Sequence, residues 1–181
     1  MSGVSQRRGW TIWLPLTLFL AFVVLVTVGL LRPADRNVAS TLIDRPLPAF
    51  ALPGSLPGTP GLKTADFADG RPKLLNIFAS WCLPCKAEAP QLAQLVRLGA
   101  TIEGISVRDR PEALRQFLAE NGNPYTRIAA DDAGSVQLAL GSSGVPETYV
   151  IDAKGRIRYQ HIGDIRPEHV PMLLEKLKAA Q

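Results

Sequence analysis

The chain has two cysteines in 181 residues, and they stand as Cys82-Leu83-Pro84-Cys85. The apolar run Leu74-Leu75-Asn76-Ile77-Phe78-Ala79 leads into the pair, and the segment after Lys86 has helical spacing. A Cys-x-x-Cys where a strand gives way to a helix constrains the chain to an α/β arrangement with the pair at the turn. The first cysteine then lies at a helix N-terminus, where unpaired N–H groups and the helix dipole favour a thiolate. The second follows about one turn later, within reach of a small disulfide ring. This is the pattern of a thiol–disulfide redox centre. A zinc half-site competes with it, but a four-ligand site needs partners, and the chain offers only His161 and His169 and no further cysteine. An inert staple is the other alternative, although so short a loop constrains the unfolded chain little. No metal is expected, and no cofactor besides a redox-active Cys82–Cys85 disulfide.

Around this centre, elements alternate. Residues 74–79 read as a strand buried on both faces. Residues 86–98 read as a helix with apolar positions at Leu92, Leu95, Val96 and Leu98, kinked by Pro90. Residues 101–107 form a second strand and 111–121 a helix, with Pro111 in its first turn and Gly122 beyond its end. A short strand at 125–130 and a short helix at 135–140 follow. Two strands, 148–151 and 156–161, flank a hairpin turn around Gly155, and a helix at 167–180 closes the chain. Upstream, 48–52 and 62–67 are short elements in a Pro- and Gly-rich stretch. The order predicts a mixed sheet flanked by helices, with the cysteines at the C-terminal end of a parallel strand.

The N-terminus differs from this. Arg7 and Arg8 precede a stretch from Gly9 to Leu31 without a charged side chain, long enough as a helix to cross a hydrocarbon core of about 30 Å. Trp10 and Trp13 stand where interfacial anchors stand. Residues 1–11 are expected to be a short cytoplasmic N-terminus, 12–31 a transmembrane anchor, 32–46 a linker and 47–181 the globular domain. A cleaved signal peptide has a shorter apolar centre and a small-residue cleavage site, and no such site follows Leu31. It stays open as the alternative, as does a buried helix. Removing Arg7, Arg8 and Arg32 from the 20 basic residues leaves 17 against 16 acidic ones. With no basic stripe, the domain gives no reason to expect a nucleic-acid partner.

The motifs Lys73-Leu-Leu-Asn-Ile-Phe-Ala-Ser-Trp-Cys-Leu-Pro-Cys85, Lys86-Ala-Glu-Ala-Pro90, Gly144-Val-Pro-Glu-Thr-Tyr-Val-Ile-Asp152 and Arg156-Ile-Arg-Tyr-Gln-His-Ile-Gly-Asp164 resemble the thioredoxin superfamily. Within it they resemble the membrane-anchored CcmG/DsbE thioredoxins of cytochrome c maturation, close to the TlpA and ResA proteins. The resemblance runs from Leu47 to the C-terminus and implies the thioredoxin fold. Two positions depart from the family. Asn76 stands where general thioredoxins bury an Asp beneath the dithiol, and Ala89 stands where the family often has His.

Site residues follow from these readings. Cys82 attacks a substrate disulfide, and Cys85 resolves the mixed disulfide. Pro84 favours the turn into the helix. Trp81 shields the sulfurs or packs in the core. By resemblance, Pro146 follows a cis bond after Val145 and faces the dithiol, offering backbone to an extended substrate. Glu88 and Glu147 match the family's acidic positions. Glu88 is expected to relay the proton that Asn76 cannot, against the alternative that both are solvated surface carboxylates. His161 and His169 read as structural or exposed, and Arg108-Asp109-Arg110 as a solvated loop.

The resemblance further implies a single-pass protein of the bacterial inner membrane with its domain in the periplasm. There it would reduce apocytochrome c or a CcmH-type protein, recharged by a DsbD- or CcdA-type membrane reductant. A TlpA-like reductase of other thiols, including copper-site cysteines, a DsbA-like oxidase and a non-enzymatic tethered binding module are the alternatives.

Overall fold

A computed structural model describes residues 10–31 and 41–181. Two compact units divide the chain, the first ending at Asn37 and the second beginning at Val38. In the first, α1 (Trp10–Leu31) is an uninterrupted apolar helix containing Pro15. Its stretch from Trp13 to Leu31 is long and apolar enough to cross a membrane. Most of the expected cytoplasmic N-terminus, and residues 32–40 of the expected linker, lie outside the described residues.

The second unit contains β1 (Ala51–Leu52), β2 (Leu62–Lys63), a 3-10 turn (Thr64–Phe67), β3 (Lys73–Phe78), α2 (Leu83–Arg97), β4 (Ile102–Val107), α3 (Pro111–Asn121), β5 (Arg127–Asp131), α4 (Ser135–Ala139), β6 (Glu147–Ile151), β7 (Ile157–Ile162) and α5 (His169–Ala179). The main sheet has the order β5-β4-β3-β6-β7. Strands β3, β4 and β5 are parallel, and β6 and β7 are antiparallel to their neighbours. This is the expected mixed sheet of a thioredoxin fold.

Strand alternation divides the core. Leu74 and Phe78 join Ile102, Leu92, Leu95, Leu114, Phe117 and Leu173 on the face covered by α2, α3 and α5. Leu75 and Ile77 join Ile105, Tyr149, Val136 and Phe67 on the opposite face. Every residue of β3 is buried, as its near-continuous apolar sequence requires. Asn76 has the parity of Leu74 and Phe78, which puts a polar side chain on the face packed by α2.

Several boundaries differ from the sequence reading. Helix α2 begins at Leu83, because Cys82 itself is the N-cap and Pro84 fits the first turn. Its buried stripe is Cys85, Glu88, Ala89, Leu92 and Leu95, a helical period that excludes Val96 and Leu98. Those two are exposed, and Leu98 is already the C-cap. Tyr125 precedes β5 and stacks on Phe78 with ring centroids 4.6 Å apart. Residues 44–47, assigned mostly to a linker, instead pair with β7 and its turn: Asp44 N–H donates to Ile157, Ile157 N–H to Arg45 and Leu47 N–H to Gly155. At the other edge, Ser55 N–H donates to Ile128 and Ala130 N–H to Pro53. Both edges of the sheet are therefore partly covered, which protects against strand addition.

Gly104, in the middle of β4, leaves room for the aromatic stack. A Cβ there would lie 2.9 Å from Tyr125 Cδ1 and 3.1 Å from Phe78 Cε1. Gly104→Ala is therefore expected to destabilise the domain by about 1–3 kcal/mol through overpacking. Equilibrium denaturant unfolding checks this, and an unchanged midpoint would show that the stack yields freely.

Candidate active site

The peptide turns sharply after β3. Cys82 N–H donates to the Ala79 carbonyl at 3.2 Å, and α2 begins at the next residue. Cys82 and Cys85 form a disulfide with S–S 2.12 Å and Cα–Cα 5.3 Å. Cys82 Sγ also accepts from Cys85 N–H at 3.1 Å. The sulfur thus takes the place of an N-cap oxygen, at the end of the helix where negative charge is favoured. Both cysteines are nearly buried.

Trp81 precedes the pair and Leu83 lies between its cysteines; they are 62% and 76% exposed. Core packing is therefore excluded for Trp81. Its ring instead lines an open groove of about 570 Å³ together with Leu138, Ser143 and Val145. The Val145–Pro146 peptide is cis. Val145 also packs against the core cluster that contains both cysteines, so the groove runs between the two loops that the sequence singled out. Pro84 is exposed in the first turn of α2.

Neither acidic residue is a solvated surface carboxylate. Glu88 is fully buried, one turn beyond Cys85 on the inward stripe of α2. Its Oε1 accepts from Asn76 Nδ2 at 3.1 Å and its Oε2 from Ile165 N–H at 3.0 Å. Burial pushes its pKa up to about 7. The two hydrogen bonds oppose that rise, and the Asp164 charge adds to it. Asn76 also donates to Thr148 Oγ1 at 3.0 Å and accepts from the Tyr125 hydroxyl at 2.8 Å. Burial, and secondarily Glu88, hold the Tyr125 pKa well above its ordinary value, so the hydroxyl remains a donor.

Glu147 is also buried, but for a different purpose. One oxygen accepts from Ser143 N–H and Ser143 Oγ, both at 2.8 Å. The other accepts from Tyr149 Oη at 2.8 Å and Gln160 Nε2 at 3.0 Å. These four donors commit the carboxylate to the loop carrying Pro146. Contact with a ligand through its oxygens, as a substrate-binding residue would make, is thereby disfavoured.

Some residues had no sequence signal for their place here. Ile165 contributes only a backbone N–H to Glu88, and Gly163 N–H donates to the Pro146 carbonyl at 3.0 Å. The loop after β7 thus touches both Glu88 and the cis-proline turn. Tyr125 and Thr148 read as ordinary strand residues. Asp109, expected in a solvated loop, accepts from Ser80 N–H at 2.7 Å and from Ser80 Oγ; an Asp two residues past a strand was the only hint. His161 is largely buried with a lowered pKa, chiefly from desolvation. Its ring lies 4.5 Å from that of His169, and neither histidine is bonded to a cysteine.

The chain is similar to known proteins. The redoxin family model matches residues 43–177. The thiol:disulfide interchange protein DsbE of Pseudomonas fluorescens biotype C is 42% identical over 159 residues, covering 87% of each chain. DsbE of Escherichia coli strain K12 is 38% identical over 172 residues, 90% of this chain and 92% of that one. Among solved structures, a DsbE described as putative from Chlorobium tepidum superposes with TM-score 0.63 at 28% identity, covering 78% of this chain and 99% of its own.

The raised pKa of Glu88 has a consequence for stability. Its folded value of about 7 exceeds the ordinary 4.5, so between these values the folded chain binds more protons than the unfolded one. Stability contributed at Glu88 therefore falls as pH rises from about 4.5 to 7, by about 3 kcal/mol in all. Glu88→Gln is expected to flatten this dependence. Unfolding midpoints of the oxidised protein at pH 5 and pH 8 test it, and an equal pH dependence in both proteins would contradict it.

Proposed function

Since this chain belongs to the redoxin family and is a thiol–disulfide oxidoreductase of the DsbE type, we propose that Cys82 is its attacking thiol and that it serves as a membrane-tethered reductant. The observation that carries the assignment of Cys82 is its place as N-cap of α2, with Sγ accepting from Cys85 N–H. Its thiolate attacks one sulfur of a substrate disulfide, forming a mixed disulfide and releasing a substrate thiolate that takes up a proton. Cys85 then loses its proton and attacks Cys82 Sγ. The second substrate thiol leaves, and the protein holds the Cys82–Cys85 disulfide. Reduction by an upstream dithiol restores the starting state.

Glu88 is the group in this scheme that accepts the Cys85 proton and returns it on reduction. A carboxyl with pKa near 7, one turn from Cys85, exchanges protons at neutral pH, whereas an ordinary carboxylate is too weak a base. Asn76 and Ile165 orient it. Trp81, Pro84, Val145 and Pro146 present the pair to an extended peptide in the groove, and Glu147 holds the Pro146 loop in place.

In this reading α1 anchors the domain at the outer face of the bacterial inner membrane. The substrate is apocytochrome c or a CcmH-type partner, and the reductant a DsbD- or CcdA-type membrane carrier. Similarity to DsbE and to HelX of Rhodobacter capsulatus, 35% identical over 167 residues, supports this placement.

Cys85→Ala is expected to stall the reaction at the mixed disulfide on Cys82. Trapping in cells, followed by mass spectrometry of the adducts, should recover a cytochrome-maturation component. Recovery of a copper-assembly protein would move the substrate elsewhere, and absence of any Cys82-dependent adduct would remove the redox assignment. In stopped-flow reduction of a model peptide disulfide at pH 7, Glu88→Gln should slow the resolving step by about a hundredfold while sparing mixed-disulfide formation. Equal slowing of both steps would deny Glu88 the proton transfer.

A further inference from the structure

The turn from β3 into α2 has little to hold it from within. Residues 79–82 are closed by one backbone bond, Cys82 N–H to the Ala79 carbonyl. The second central residue, Trp81, projects into solvent. The first, Ser80, is nearly buried, and its partner comes from another part of the chain. Asp109 Oδ2 accepts from Ser80 N–H at 2.7 Å, and Oδ1 accepts from Ser80 Oγ and from Arg110 N–H at 3.0 Å.

Sheet register brings the two together. Parallel pairing of Phe78 with Ser106 makes the loops beyond β3 and β4 neighbours at the same end of the sheet. Arg108 has a left-handed backbone, φ 49°, and its N–H donates to the Asp131 carbonyl. The chain bends at Arg108, and the following carboxylate reaches Ser80.

We propose that Asp109, acting through Ser80, is a positioning residue for the thiol chemistry, setting the backbone from which Cys82 presents its sulfur. Its carboxylate bonds to Ser80 and to Arg110 N–H, so it acts through its neighbours and not on the sulfurs. It acts on the residues between Ser80 and the N-cap. The bond from Cys85 N–H to Cys82 Sγ depends on the extended N-cap conformation of Cys82, φ −86° and ψ 114°. Loosening Ser80 frees that conformation and weakens the donors that favour a thiolate over a thiol. The inference rests on Cys82 being the attacking thiol.

The test is the pH dependence of iodoacetamide alkylation of the reduced full-length protein in detergent, with the labelled residue identified by mass spectrometry. Ser80→Ala keeps the Asp109 charge and removes one hydroxyl, so a displaced midpoint in this variant is not the loss of a carboxylate charge. The expected result is a Cys82 midpoint about half a pH unit higher, about a threefold change in thiolate fraction. Asp109→Ala also removes a negative charge, which by itself lowers the midpoint, so it serves as a background: adding Ser80→Ala to it should shift the midpoint no further, while Ser80→Thr should keep the wild-type value. Should Asp109→Ala fail to fold, the Ser80 variants still decide. Wild-type midpoints in folded Ser80→Ala, or additive effects in the double variant, would overturn the proposal. Labelling of Cys85 instead of Cys82 in the wild type would overturn the assignment of the attacking thiol, and this inference with it.

Discussion

Burying Glu88 costs free energy that two hydrogen bonds only partly offset, and much of the domain is arranged around that cost. The carboxyl stands on α2, receives a side-chain donor from β3 through Asn76, and a backbone donor from the loop before α5 through Ile165. Two consecutive elements and a loop 77 residues further on thus meet at one carboxyl. Desolvation wins over the hydrogen bonds, since the pKa is raised and not lowered. The same balance that weakens the fold near neutral pH gives the group proton affinity where thiol exchange operates. Asn76, unable to titrate, uses both donors and its acceptor to hold neighbours.

Glu147 is a contrast in the same domain. It too is buried, but four donors converge on its oxygens, all from the Pro146 loop and adjoining strands. One carboxyl is left with few donors and a raised pKa; the other is saturated and braces a loop. Two glutamates that look alike in sequence thus receive different physical roles from their donor counts. The loop after β7 joins the two regions, with Gly163 bonded to Pro146 and Ile165 bonded to Glu88.

Much of the fold was legible because its signals are local. The apolar run of β3, the Pro111 start and Gly122 end of α3, and the turn at Gly155 each depend on neighbours within a few positions, and the structure reproduces them. Errors came where packing overrides pattern. Val96 and Leu98 are apolar but fall outside the buried stripe, and Tyr125 has strand chemistry but serves as a stacked core ring. Residues 44–46 resemble a linker in composition, yet the open edge of β7 recruits them.

By itself, the sequence determined the strand-turn-helix around Cys82 and Cys85, the mixed sheet and the apolar N-terminal helix, because periodicity, capping and proline chemistry act over a few residues. Only the tertiary structure decided which carboxylates are buried, that Asp109 reaches Ser80 across 29 positions and that Ile165 reaches Glu88 across 77. Those contacts depend on strand order and parallel register, which bring distant loops to one end of the sheet. No local pattern encodes the desolvation or the donors that a side chain meets there.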